Sequence, residues 1–371
     1  MKWLNGLLIF VPISALLANF GPHTPTVQVM VFISACLAVI PLAGIMGHAT
    51  EELAKHLGPN AGGLLNATFG NAAELIIALF ALRAGLLDVV QASITGSILG
   101  NLLLVLGLAL LLGGRNRRFQ SFNRTLAGMH SSMLVLAVAG LMVPAVFVHS
   151  LPGLAEAHGA ATDSDVWYLS LSVSGVLMVT YLLGLFFSLK THRAVFEGSD
   201  ETEPAHWSRG KALTVLTAAT AFVAWMSEML VHSLEPMTQA LNLSPVFVGV
   251  IVIPIIGNAA EHATAVTTAM KDKMDISLGI AIGSSTQIAL FVAPFLVFAS
   301  MLFGYKLSLI FTTVELVSVA FGVAIVAWIA HDGETHWYEG VLLLAVYAVI
   351  SLAFFMVPPA VESSPAPAGA H

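Results

Sequence analysis

The pentapeptide Gly70-Asn71-Ala72-Ala73-Glu74 occurs a second time in this chain, as Gly257-Asn258-Ala259-Ala260-Glu261. Each residue number increases by the same amount, 257 minus 70, or 187. The same displacement, without a gap, also places Ser97 on Ser284 in the next apolar segment. Because a displacement shared beyond the motif is improbable by chance, we infer an internal duplication.

The composition is that of a membrane protein. The 371 residues are 57% hydrophobic and 9% charged, with a mean hydropathy of +0.89, whereas soluble domains carry roughly 25% charged residues. The net charge of −7 comes from 21 acidic and 14 basic residues, so no basic face for nucleic acid is indicated. The single cysteine, Cys36, excludes an intrachain disulfide. No protein partner is evident.

Apolar runs of about 20 residues, the length that spans a bilayer, predict an all-α membrane protein with about 11 transmembrane helices. The predicted spans are 3–20, 27–55, 62–85, 89–114, 126–148, 165–189, 211–234, 244–270, 275–304, 308–330 and 336–357.

The duplication divides these spans into one N-terminal helix and two five-helix repeats. An odd number of spans per repeat means that the second copy enters the membrane from the opposite face, so the repeats are inverted. The predicted divisions are a first helix in 1–25, repeats in 26–190 and 211–357, a cytoplasmic acidic linker in 191–210 and a disordered tail in 358–371. Secondary transporters with this architecture place their site at the midplane between the repeats.

The basic residues predict the orientation. With eleven spans, one side of the membrane holds all of the 14 bases except Arg83 and Lys306. Since Lys and Arg accumulate on the cytoplasmic side of short loops, the N-terminus is predicted in the cytoplasm and the C-terminus outside.

The repeated glutamates are the main candidates for chemistry. A carboxylate at the bilayer centre costs roughly 2.5 to 3.5 kcal/mol, so burying Glu74 and Glu261 needs a functional reason. Asn71 and Asn258 precede them by three residues, which puts amide and carboxylate on one helical face. Such oxygen-rich faces suit a hard cation such as Ca²⁺.

The residues around the glutamates extend this candidate site. Gly70 and Gly257 allow helices to cross closely, and together with Pro254 they loosen the backbone, which predicts broken helices whose freed carbonyls could bind a cation; packing alone is the alternative. Ser97, Ser284 and Gln287 are candidates to line a cation path, with Asn101 as a further polar residue. His262 is placed on another face of the helix than Glu261, as a helix-contact or proton-relay residue.

Glu52 and Glu228 lie in predicted spans and are candidate vestibule carboxylates that collect cations or pass protons. The alternative is that they reach out to the membrane interface. The sequence has neither clustered cysteines nor a His-x-x-x-His pattern, which disfavours a dedicated zinc or copper site.

At these motifs the sequence resembles the cation/H⁺ exchanger (CAX) family of the Ca²⁺/cation antiporter superfamily. The resemblance covers the predicted second to fourth and seventh to ninth helices. It lies in Ala49-Thr50-Glu51-Glu52-Leu53-Ala54, Gly62 to Glu74, Val248 to His262, Lys271-Asp272-Lys273-Met274-Asp275 and Gly279 to Gln287. It implies one helix before a five-plus-five inverted repeat, with both motif glutamates binding Ca²⁺ and protons alternately.

These observations predict a secondary active antiporter, not an enzyme, that exchanges Ca²⁺ for H⁺ by alternating access without a cofactor. The predicted location is a prokaryotic inner (plasma) membrane. Both motifs read Asn-Ala-Ala-Glu, whereas the related Na⁺/Ca²⁺ exchangers usually carry Ser/Thr-rich motifs, which favours H⁺ over Na⁺. The alternatives are a Na⁺/Ca²⁺ or other divalent-cation exchanger, a cation channel and an intramembrane hydrolase; the last lacks a nucleophile with a base or a metal triad.

Overall fold

A computed structural model describes residues 4–158, 163–191 and 204–358 of the chain. The predicted linker acids Glu197, Asp200, Glu201 and Glu203 and most of the predicted tail, 359–371, lie outside the described residues.

The described chain is almost entirely helical. Its elements, in chain order, are α1 Phe10–Phe20, α2 Pro25–Phe69, α3 Ala72–Arg83, α4 Leu87–Leu99, α5 Leu106–Gly114, β1 Gln120–Ser121, α6 Arg124–His158, α7 Asp163–Phe186, α8 Arg209–Leu241, α9 Pro245–Phe247, α10 Ile253–Gly257, α11 Ala259–Met270, α12 Met274–Gln287, α13 Ala293–Leu302, α14 Thr313–Asp332, β2 Glu334–Thr335 and α15 Trp337–Phe355. β1 and β2 form one antiparallel pair, with Gln120 opposite Thr335.

Several long helices contain a wider, π-helical turn. These turns are Gly100–Val105, Phe187–Thr191, Val248–Val252 and Ile288–Val292. The first and last join α4 to α5 and α12 to α13, so each joined helix continues as one span. In the numbering of the duplication the two turns coincide within one residue, and they begin three residues after Ser97 and four residues after Ser284. Insertions of this kind often mark functional sites.

Membrane-spanning length is reached by eight described helices, or nine if the bent pair 245–257 and 259–270 counts as one span. The all-α membrane fold is therefore confirmed, but the count of eleven is not. Two predicted spans lie outside that set. The first, 3–20, is represented by a shorter apolar helix, Asn5–Phe20. The other, 62–85, is divided between the end of α2 and α3.

α2 consists of two helices that meet at a kink at Gly58: the first contains the predicted second span, and the second leads into the predicted third span. Gly58 has φ +79°, a backbone conformation that only glycine adopts without strain. The part of α2 before Gly58 packs along α8, its equivalent in the second repeat. Gly58 thus separates a long helix, which packs along α8, from the segment that leads into the first motif.

Candidate functional site

Both motifs coincide with a break between two helices. α2 ends at Phe69 and α3 begins at Ala72, while α10 ends at Gly257 and α11 begins at Ala259. The second break bends the chain by 61°. Its cause is local: Asn258 leaves the helical conformation, with φ −90° and ψ 4°, as Asn71 does with φ −101° and ψ 23°. The broken helices predicted from the sequence are therefore present.

Each glutamate follows its break and lies in the first turn of the next helix, Glu74 in α3 and Glu261 in α11. The partial positive charge of a helix N-terminus stabilises a carboxylate there. The local fold thus places two acids at two helix starts that belong to different repeats.

The two motifs pack against each other reciprocally. A Cβ built at Gly257 would lie 3.1 Å from Cγ of Glu74 and 3.6 Å from its Oε1. A Cβ built at Gly70 would lie 3.6 Å from Oε1 of Glu261. Each glutamate therefore lies against the glycine of the opposite motif, as expected for copies related by a pseudo-two-fold axis. The absence of a side chain at each glycine makes this approach possible.

Several buried oxygens in this region lack a hydrogen-bond partner among the described residues. They are both carboxyl oxygens of Glu74, Oε2 of Glu261 and Oδ1 of Asn258. Glu74 is 9% exposed and Asn258 only 1%. Because a buried acceptor without a donor is costly, such a set needs an explanation. Carboxylate and amide oxygens in one place are the ligands that Ca²⁺ takes, completed by carbonyls and water.

The serines and asparagines join the repeats in matching pairs. Ser284 Oγ donates to Asn71 Oδ1 over 2.7 Å, and Asn258 Nδ2 donates to Ser97 Oγ over 3.4 Å. Both pairs join a motif asparagine of one repeat to the serine of the other repeat, although Ser284 donates its hydrogen bond and Ser97 accepts its own. The predicted residues of the motifs and of the following helices therefore meet in one cluster.

Three polar residues that the displacement of 187 does not pair also belong to this cluster. Asn71 Nδ2 donates to Gln287 Oε1 over 2.7 Å, and Asn101 Nδ2 donates to Ser284 Oγ over 3.1 Å. The His262 Nε2 atom lies 3.2 Å from Asn101 Oδ1. The sequence supported Asn101 only weakly. Its helical spacing, four residues after Ser97, is the signal that places it on the same face.

Glu52 is engaged elsewhere. It is fully buried; Lys55 Nζ donates to its Oε1 over 2.8 Å and the backbone N–H of Trp207 donates to its Oε2 over 2.7 Å. These bonds hold the end of α2 to the segment that precedes α8. A paired carboxylate of this kind is typical of a structural ion pair, so the structure does not bring Glu52 to the cluster, and its place in a pathway stays a prediction.

Glu228 is half-buried on α8, a helix that packs against α3, which carries Glu74. Its role as a vestibule carboxylate also stays a prediction. Within the described residues, no three His, Cys, Asp or Glu side chains come together to hold a metal. A cation at the cluster would therefore depend on two carboxylates with amide, hydroxyl or backbone oxygens.

The sequence profile of the family described as "Sodium/calcium exchanger protein" matches residues 27–190 and again 211–356. The chain belongs to the sodium/calcium exchanger family. The two matched stretches contain one motif each. Membership in this family of membrane exchangers agrees with the apolar helices, and the chain is a multi-pass membrane protein.

Characterised relatives are similar along almost the whole chain. A Ca²⁺/H⁺ antiporter of Aphanothece halophytica is 47% identical over 369 residues, which cover 95% of this chain and 96% of that protein. The Ca²⁺/H⁺ antiporter ChaA of Bacillus subtilis is 43% identical over 341 residues, 90% of this chain and 94% of that protein. The resemblance to cation/H⁺ exchangers predicted from the motifs is confirmed.

A solved structure shares the fold. The crystal structure of the Ca²⁺/H⁺ antiporter protein YfkE is 39% identical in sequence, with a TM-score of 0.81, and the match covers 96% of this chain and 100% of that chain. A full-length match of this quality means that the arrangement of helices around the cluster is that of a membrane exchanger.

Proposed function

We propose that this exchanger is a secondary active antiporter that moves Ca²⁺ in one direction across the membrane and H⁺ in the other by alternating access. The observation that carries the proposal is the reciprocal placement of Glu74 and Glu261, each against the glycine of the opposite motif, with three of their four oxygens lacking a donor among the described residues. The 47% identity to a Ca²⁺/H⁺ antiporter supports the choice of ions.

Coupling follows from the electrostatics of the two acids. Two negative carboxylates that face each other away from bulk water repel, and either a divalent cation between them or a proton on each relieves the repulsion. Ca²⁺ and protons are thus alternative occupants of the same oxygens. The carrier can change the side to which it opens with either occupant, and at least two protons move for each Ca²⁺.

The remaining residues of the cluster complete the proposed site. Asn258 would contribute its unpartnered Oδ1. Asn71, Ser97, Ser284 and Gln287 would orient these groups and line the path, and Gly70 and Gly257 would leave room for the carboxylates. We further propose the orientation predicted from the basic residues, with the N-terminus in the cytoplasm of a prokaryotic cell and the C-terminus outside.

Na⁺/Ca²⁺ exchange is the alternative that the family description keeps open. The experiment that separates the two uses purified protein in proteoliposomes and radiolabelled Ca²⁺. An imposed pH gradient should drive Ca²⁺ uptake against its concentration gradient, and an equal Na⁺ gradient should not. A higher pH on the side from which Ca²⁺ enters should lower the KM for Ca²⁺, because fewer protons compete for the carboxylates. Uptake driven by Na⁺ alone would overturn the proposal.

A further inference from the structure

The three polar residues that the duplication does not pair join Ser284 and Asn71 in one continuous chain of hydrogen bonds. It runs from His262 on α11 to Asn101, then to Ser284 on α12, to Asn71 between α2 and α3, and to Gln287 at the end of α12. Its four links measure 3.2, 3.1, 2.7 and 2.7 Å. The chain therefore ties four helical segments from both repeats to the first-motif asparagine.

Every link of this chain points in the same direction. The amide of Asn101 donates to Ser284, so its carbonyl oxygen, which His262 contacts, must accept. His262 therefore carries a hydrogen on Nε2, and Ser284 passes its hydroxyl hydrogen to Asn71 Oδ1. The Asn71 amide then donates to Gln287. Both ends of the Asn71 amide are therefore fixed, its oxygen by Ser284 and its NH₂ group by Gln287.

The second-motif asparagine has no comparable support. In the numbering of the duplication, the counterparts of Asn101 and His262 are Ile288 and Leu75, which cannot hydrogen-bond through their side chains. Asn258 donates to the Pro254 carbonyl over 3.1 Å and to Ser97 over a longer 3.4 Å. Its Oδ1 has no donor among the described residues.

We propose that His262 and Asn101 are positioning residues, which act through Ser284 to fix the amide of Asn71, and that the two motif asparagines consequently have different roles. Asn258 offers a free oxygen to the cation, whereas Asn71 is a locked support whose carbonyl oxygen is held by Ser284 and whose NH₂ group is held by Gln287. This inference rests on the proposed Ca²⁺ site and adds an asymmetry that the repeated sequence does not show.

The test measures proton-driven Ca²⁺ uptake, with KM and the maximal rate per folded protein. Asn101→Leu and His262→Leu should each raise the KM about tenfold, the size expected for losing one buried hydrogen bond, while the maximal rate changes less than about twofold. Ile288→Leu is the control at the position equivalent to Asn101 and should leave the KM unchanged.

Three further comparisons separate positioning from a general packing defect. His262→Gln, which keeps a side-chain N–H donor, should restore the KM to within about threefold of the wild type. The double variant of Asn101→Leu and His262→Leu should be no worse than either single variant, because both act through one chain. Ser284→Ala should raise the KM more than the equivalent change Ser97→Ala.

Three results would overturn the inference. The first is a wild-type KM in Asn101→Leu and in His262→Leu, and the second is additive effects on the KM in the double variant. The third is an equal effect of Ser97→Ala and Ser284→Ala on the KM. If either leucine variant does not fold, the comparison of His262→Gln with the wild type and of the two serine variants still decides it. Since wild-type uptake is measured in the same assay, absence of proton-driven uptake there would instead refute the proposed function.

Discussion

Two equivalent helices, α4 in the first repeat and α12 in the second, have different surroundings. A Cβ at Gly96 on α4 would lie 2.1 Å from the Val250 carbonyl oxygen and 2.6 Å from Cγ of Pro254. A Cβ at Gly283, the equivalent position on α12, would have no neighbouring atom of the described residues within 4 Å. The two equivalent glycines thus differ: Gly96 lies in a closed interface, and the position of Gly283 is open.

The open side has a cavity of about 160 Å³. Gly283, Thr286 and Gln287 line it from α12, and the rest of the lining comes from α6, α7 and the π-helical turns after α7 and α12. With the predicted orientation, the closed interface lies in the outer half of the membrane and the cavity in the cytoplasmic half. If the inverted repeats exchange their conformations during alternating access, we predict a second state in which the interface at Gly96 is open and the cavity at Gly283 is closed.

The largest difference between the two helices is expected in stability, when a methyl group is added at each of the equivalent glycines. Gly96→Ala should lower the free energy of unfolding by about 3 kcal/mol, because two backbones and a proline ring cannot move apart easily. Gly283→Ala should change it by less than about 0.5 kcal/mol. Thermal unfolding of the purified variants in detergent would measure both. Equal losses of stability would mean that the two interfaces do not differ.

A labelling experiment tests the open side directly. Thr286 on α12 corresponds to Leu99 on α4; Thr286 lines the cavity and Leu99 is fully buried. In a Cys36→Ser background, Thr286→Cys should react with a membrane-impermeant maleimide at least about ten times faster than Leu99→Cys, since exposure controls thiol reactivity. Reaction at similar rates would show that the cavity is closed to solvent. Mass spectrometry of vesicles labelled from each side would give the rates and the orientation.

The smallest effect is expected on the KM for Ca²⁺, from a change at the motif glycines, where the two repeats are alike. Gly257→Ala places a methyl group 3.1 Å from Cγ of Glu74, so this side chain must shift by a fraction of an ångström. The KM for Ca²⁺ should rise roughly fivefold, which corresponds to about 1 kcal/mol. Gly175→Ala is the matched control, because a Cβ there would meet nothing described within 4 Å. A KM equal to that of the control would mean that the close approach is irrelevant to binding.

The sequence predicted much of the structure at the two motifs and less of the contacts that surround them. The sequence predicted broken helices at the two motifs, because Pro254 and the motif glycines loosen the backbone; the structure places the breaks at Asn71 and Asn258. It could not predict the chain from His262 to Gln287, since neither Asn101 nor His262 has a polar counterpart in the other repeat. Similarly, Trp207, which holds Glu52, is 155 residues away in sequence, and only the packing of α2 on α8 brings them together.

The cause of one separation between spans was also beyond the sequence. Apolar length predicted 27–55 and 62–85 as two spans, and a kink at Gly58 divides the helix of the first from the segment that leads into the second. Hydropathy measures the length of apolar runs, whereas the position of a bend depends on one backbone conformation, here the positive φ of Gly58. The difference between Gly96 and Gly283 was likewise not predicted, because both positions carry the same Gly-Ser pair and only the packing of other helices separates them.

The central claim is that Ca²⁺ and protons share Glu74 and Glu261, and neutral variants test it most directly. Gln retains the size of Glu and one carbonyl oxygen but neither ionises nor carries a proton. Proton-driven uptake of radiolabelled Ca²⁺ into proteoliposomes should therefore be abolished by Glu74→Gln and by Glu261→Gln, and largely retained by Glu197→Gln in the linker. Full proton-driven uptake by either motif variant would contradict the account.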